Sequence, residues 1–125
     1  MSDEALFEKG LPIRREVLGA EYVDAAMAQA DSFMMAFQRA TTSWAWGWAW
    51  GDESLDRKTR SAITMTALVA LGHFDELAMH VRAARRNGMT DEEIKEVLLQ
   101  CAVYCGVPAA NHAFAVAQRV LEDET

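Results

Sequence analysis

Glu76 and His80 are the residues of this sequence best suited to acid–base chemistry, because a helix would bring residues at that spacing into contact. At about 100° per residue, His73, Glu76, Leu77, His80 and Ala84 fall within roughly one-third of a helix circumference, while Arg82, Arg85 and Arg86 point elsewhere. Two imidazoles and a carboxylate thus share the stripe expected to face the interior, where ionisable groups are costly unless paired. A carboxylate beside an imidazole raises the imidazole's pKa and fixes its orientation, which suits a proton donor working near neutral pH. The same residues admit plainer uses. His80 can be a core histidine with Glu76 as its partner, and His73, directly after Gly72, can be a capping or surface residue. A metal held by His73, Glu76 and His80 is conceivable, but the spacing is not His-Glu-x-x-His, and no metal is expected.

The elements that must position these residues read as helices almost throughout, with apolar spacing of helical period and no strand of useful length. A first helix is expected over roughly residues 3–18, broken near Gly10-Leu-Pro12 and ending at Gly19. A second, long one runs from about Asp24 towards the tryptophans, with Ala26, Met27, Ala30, Phe33, Met34 and Phe37 as its inward stripe. Asp56 can cap a third, Ser61 to Leu71, apolar almost all round and therefore central to the core. The fourth, carrying His80, begins near His73 and ends at Asn87-Gly88. Thr90 and Glu93 form a capping box for the fifth, Gly106 ends it, and Pro108 suits the first turn of a sixth. Trp44 to Trp50, where Trp alternates with Ala or Gly, is the one segment that could be a strand instead.

A chain of 125 residues, 51% hydrophobic, is expected to form one domain, 1–125, with a core thin enough for oligomerisation to help. Its net charge of −7 argues against nucleic-acid or anionic-membrane partners, and leaves any anionic substrate to a few local arginines. The acidic start of the chain does not read as a signal peptide, and charges interrupt every apolar run, so a cytoplasmic protein acting on a small molecule fits best. Cys101 and Cys105 lie on one helix face and constrain no loop.

Several stretches together resemble the gamma-carboxymuconolactone decarboxylases: Glu76-Leu-Ala-Met-His80-Val-Arg-Ala-Ala-Arg-Arg-Asn-Gly88, Thr90-Asp-Glu-Glu-Ile-Lys-Glu-Val97, Cys101-Ala-Val-Tyr-Cys105-Gly-Val-Pro-Ala-Ala-Asn111, Arg14-Arg-Glu-Val-Leu-Gly19 and Thr59-Arg-Ser61. The resemblance runs from about Phe7 to Val120. It implies an all-α, AhpD-like orthogonal bundle of about six helices that assembles into trimers or hexamers. It also implies cofactor-free decarboxylation of a lactone diacid in the protocatechuate branch of the beta-ketoadipate pathway. In such a reaction the conjugated ring carbonyl accepts the electron pair, so the protein must stabilise an oxyanion and return a proton to carbon. His80, tuned by Glu76, is the expected proton donor or oxyanion partner. Arg60 and Arg14 or Arg15 are candidates for the substrate carboxylates, with a surface ion pair the plainer use of each; His73 is a further binding candidate.

The related alkylhydroperoxidases carry Cys-x-x-Cys followed four residues later by His. Here His73 and Glu76 hold the cysteine places, so the dithiol is missing, although an alkylhydroperoxidase-like enzyme on this scaffold remains an alternative. In the decarboxylases that this chain resembles, the segment matching Trp44-Ala-Trp46-Gly-Trp48-Ala-Trp50 reads His-Ala-Trp-Gly-Asp-x-Trp. Trp46 and Trp50 match, and either core or a subunit contact would use them; Trp44 and Trp48 replace a His and an Asp, which points to a remodelled, less polar pocket wall. Such a wall also fits a non-catalytic protein that binds an apolar aromatic ligand.

Overall fold

Short polar side chains begin several of the helices. In the computed structural model, which describes residues 2–123, Ser2 accepts a hydrogen bond from the Ala5 amide at 3.1 Å, and Asp31 accepts one from Met34 at 2.9 Å. Thr90 and Glu93 close the expected capping box reciprocally, at 3.1 and 2.9 Å. Among the described residues there are seven α-helices: α1 (Asp3–Leu18), α2 (Ala20–Gln29), α3 (Ser32–Thr41), α4 (Arg57–Leu71), α5 (Phe74–Arg86), α6 (Asp91–Tyr104) and α7 (Val107–Asp123), with a π-helical segment (Thr42–Ala49) following α3. No strand occurs among them, so the class is all-α. The count exceeds the expected six because the long second helix is two. Ala30 is extended and Asp31 caps a new start, a local signal that the apolar spacing running through Ala30 had concealed.

The helices group into two compact units, Met1–Asp56 and Arg57–Thr125. In the first unit, α1 lies against the π segment at very short range. A Cβ at Gly10 would stand 2.2 Å from the Thr42 carbonyl oxygen, and one at Gly47 would stand 2.2 Å from that of Leu6. Helix α1 continues through Pro12, where a break was expected. Proline in a helix interior costs about 3 kcal/mol, and the packing of α1 offsets it. The tryptophan run is helical rather than extended, with the Trp50 amide bonded to the Ala45 carbonyl at 2.9 Å, five residues back. Thr42, Ser43, Trp46 and Gly47 are its buried residues, a spacing that the wide π turn aligns on one side. The apolar stripe of α3 does not become core: Phe33, Met34 and Phe37 are exposed, Phe33 by 83%.

In the second unit, Met65 and Val69 of α4, Leu77, Val81 and Ala84 of α5, Ile94 and Leu98 of α6, and Ala113, Ala117 and Val120 of α7 form the core. Each large aliphatic side chain there contributes on the order of 2 kcal/mol by leaving water. Helix α4 is buried on one side only, since Ile63 and Leu71 are exposed; it does not run through the middle of the core as its composition suggested. The end of α5 is tied to α4 by Asn87 Nδ2 donating to the buried Ser61 Oγ at 2.9 Å. Gly88 takes φ +92°, and the Met89 amide reaches back to the Ala84 carbonyl at 2.9 Å, a glycine-terminated C-cap that only a residue without Cβ adopts cheaply. Arg85 grips Asp91 with two 2.8 Å bonds across that turn, which holds Asp91's carboxyl below its ordinary range.

Candidate active site

Helix α5 places His80 on its buried face, level with Leu77, Val81 and Ala84. Only 7% of the residue is exposed, and burial pushes its pKa down to about 4. At neutral pH the imidazole is therefore uncharged. Glu76 behaves differently. It lies in the first turn of α5, exposed, and makes no hydrogen bond or ion pair among the described residues. The expected Glu76–His80 pair is thus not formed, and the His80 pKa moves down where a carboxylate neighbour would have moved it up. The physical reason is the edge of the stripe. Leu77 and Val81 take its centre, while Glu76 at its margin keeps its carboxylate in water, near the favourable N-terminal end of the helix. His73 occupies the N-cap position, exposed, and its side chain makes no capping bond. Arg60 is half-buried in the first turn of α4, beside the buried Ser61.

In the first unit, the two neighbouring arginines have opposite fates. Arg15 is exposed and holds Asp24 through a bidentate pair at 2.9 and 3.0 Å, so its fork is filled by a surface carboxylate. The ion-pair use expected as its plainer role is the contact this side chain makes here. Arg14 instead is buried, and its Nη1 donates to Thr42 Oγ1 at 3.0 Å. The signal for this was present in the sequence: Gly10, Arg14, Val17 and Leu18 recur at helical spacing and form the buried face of α1, which Arg15 does not share.

The tryptophans pair as their spacing requires. Trp44 and Trp48 lie 6.3 Å apart, centroid to centroid, and both are largely exposed; Trp46 stacks on Trp50 at 5.0 Å, with Trp46 buried. Trp44 borders a groove of about 760 Å³ whose other walls include Asp3, Glu4 and Arg39, and Arg39 is already paired with Glu4. A second concavity of about 620 Å³, between α6 and α7, is lined by Ile94, Leu98, Phe114 and Leu121 and does not include His80.

Residues 35–119 match the model of the carboxymuconolactone decarboxylase family. The chain belongs to that family. It is 42% identical to a 4-carboxymuconolactone decarboxylase of Acinetobacter baylyi over 123 residues, covering 98% of this chain and 92% of the relative. It is equally 42% identical to a nitrosuccinic acid decarboxylase of Metarhizium robertsii over 118 residues, covering 94% and 82%. An uncharacterized 15.0 kDa protein of Paracoccus denitrificans is 39% identical over 74 residues, 58% of this chain and 55% of that protein.

Within this carboxymuconolactone decarboxylase family member, Cys101 is not an activated thiol. Cys101 is buried with its Sγ 3.7 Å from Thr66 Oγ1, and burial pushes its pKa up. A nucleophilic thiolate needs the opposite shift.

Proposed function

We propose that the chain is a cofactor-independent carboxy-lyase acting on a small dicarboxylic acid with a built-in electron sink, with His80 as its oxyanion partner and proton carrier. The observation that carries this reading is the 42% identity, along almost the whole chain, to a 4-carboxymuconolactone decarboxylase. The nitrosuccinic acid decarboxylase at the same identity leaves the acid itself open. Both named acids are diacids bearing a group, conjugated carbonyl or nitro, that can take an electron pair.

The proposed step is simple in balance. The bond from carbon to the departing carboxylate breaks, carbon dioxide leaves, and the electron pair moves into the sink oxygen. A neutral imidazole N–H can hydrogen-bond that oxygen without the penalty of a buried cation. The anionic substrate raises the affinity of His80 for a proton, which then passes to carbon and is replaced from solvent. Arg60, Arg15 and His73 remain binding candidates in this reading, and Trp44 and Trp48 favour a less polar acid. The protein acts in bacterial aromatic-compound catabolism in this reading, as a cytoplasmic homo-oligomer, trimer or hexamer. Exposed Phe33, Phe37, Trp44 and Trp48 support assembly, since burying such large apolar side chains against a second copy is favourable. Among the described residues no helix is long and apolar enough to cross a membrane.

The test is carbon dioxide release from a panel of lactone diacids and nitro diacids. The parent should release it from at least one of them, and His80→Ala should abolish release while keeping the helical circular dichroism of the parent. Full activity in His80→Ala would remove His80 from the mechanism, and no release from any of the acids would overturn the decarboxylase reading.

A further inference from the structure

The first unit carries a cation in a place where nothing in that unit needs one. Arg14 is only 5% exposed. Among the described residues its hydrogen-bond partners are the Thr42 hydroxyl and, at 3.9 Å, the Met27 sulfur, both neutral and both on Nη1. Its Nε is buried without a hydrogen-bond partner. Burial pulls the guanidinium below its ordinary range; Tyr22 opposes this, and no acidic group contributes. Among the described residues no Asp or Glu is bonded to this arginine, although Arg15 next door has its own aspartate.

A buried guanidinium without a counter-charge is costly, and folded proteins avoid it unless something else supplies the charge. The geometry indicates what is missing. Thr42 and Met27 both contact Nη1 and Nε has no hydrogen-bond partner, so a carboxylate would meet the guanidinium along its Nε–Nη2 edge, which matches its two oxygens. A second unmet polar atom lies nearby in sequence. Gln38, one helical turn before Thr42, is buried, and its Oε1 also lacks a hydrogen-bond partner. Whichever way that amide is turned, it keeps an unmet polar group one turn before Thr42.

We infer that Arg14, oriented by Thr42, is the core of a carboxylate-binding site in the first unit, and that its ligand is a small organic acid held through the Nε–Nη2 edge. Gln38 lends a neutral contact. The ligand is either the substrate itself or a separate acid that binds as an effector; the chemistry of recognition is the same.

Succinate, an inert dicarboxylate, is the probe. Calorimetric titration into the intact protein should show binding, weakened at least tenfold in Arg14→Met and also in Arg14→Lys, which keeps the charge but loses the fork. Arg39→Met, which removes a surface arginine of the same unit, should leave succinate affinity unchanged. Without ligand, Arg14→Met should melt at or above the parent's temperature, because an unpaired buried charge has gone; an arginine kept for structure would lower it. If Arg14→Met fails to fold, Arg14→Lys carries the same test. A raised KM for the decarboxylated acid at unchanged kcat in Arg14→Lys assigns the carboxylate to the substrate. Lost succinate binding with unchanged KM assigns it to an effector. Absence of succinate binding in the parent, or undiminished affinity in Arg14→Lys, overturns the inference. Carbon dioxide release by a parent that does not bind succinate would leave the decarboxylase reading standing. Arg14-dependent binding without release from any diacid would do the reverse.

Discussion

Adding one methyl group at Gly10 should cost the first unit about 2 kcal/mol or more, although an exposed helical glycine would gain about 1 kcal/mol from the same change. The new Cβ would lie 2.2 Å from the Thr42 carbonyl oxygen and 2.6 Å from the Gly47 amide nitrogen, against the 3.4 Å at which ordinary contact begins. Both obstacles are backbone, so no side chain can swing aside, and α1 and the π segment must part by about 1 Å. A gap of that size forfeits a quarter to a half of each dispersion contact across the interface, and overpacking of this kind costs about 1–3 kcal/mol, here towards the upper end. All four tryptophans lie in residues 44–50, so indole fluorescence in a urea titration reports on the unit that contains Gly10. Gly10→Ala should move the midpoint clearly downward with a similar slope. A midpoint equal to or above the parent's would show that α1 is free to shift, and would refute the reasoning.

Three further outcomes follow from features already described. His80 is pushed down from 6.5 to about 4, so between those values the unfolded chain takes up a proton that the folded chain refuses. Stability should therefore fall as pH drops from 6.5, by about 2 kcal/mol at pH 5, and His80→Gln should flatten that part of the profile; a parent already flat there would contradict the burial argument. Trp44→His with Trp48→Asp exchanges exposed indoles for the polar pair expected from the resemblance, and should raise kcat/KM for carboxymuconolactone relative to the parent. An efficient parent would remove the reason for that expectation. Phe33→Glu with Phe37→Glu should shift sedimentation from an oligomer to a smaller species, and a parent that sediments as a stable monomer at micromolar concentration would refute assembly.

What was legible in the sequence was mostly local. The Thr90–Glu93 box, the Asn87-Gly88 stop and the bounds of α5 depend on residues a few places apart, so the chain announces them directly. The split at Asp31 was hidden because apolar spacing continued through the break and outweighed one capping residue. The stripe of α3 named the apolar face correctly but could not say what covers it, and Phe33 and Phe37 proved exposed. On α5, angular reasoning located His80 but failed for Glu76, because at the edge of a buried stripe desolvation decides which residue goes in, and a carboxylate resists it more than an imidazole. For Arg14 and Arg15 the same reasoning, applied to α1, would have separated the buried arginine from the exposed one.

The π segment has one more consequence, for how this stretch of chain can change. A π turn is what remains when a helix absorbs one additional residue without breaking its axis. Its wide bonding, such as that from Trp50 to Ala45, keeps Trp46 and Gly47 turned inward, with Gly47 against Leu6. Removing a single residue between Thr42 and Ala49 would return the backbone there to the tighter period, which leaves the residues after the segment facing as before but turns those within it. Gly47 would leave its notch, and a side chain would meet the α1 backbone in its place. The facing of Trp46 and Gly47 thus depends on how many residues the segment holds as well as on which residues they are.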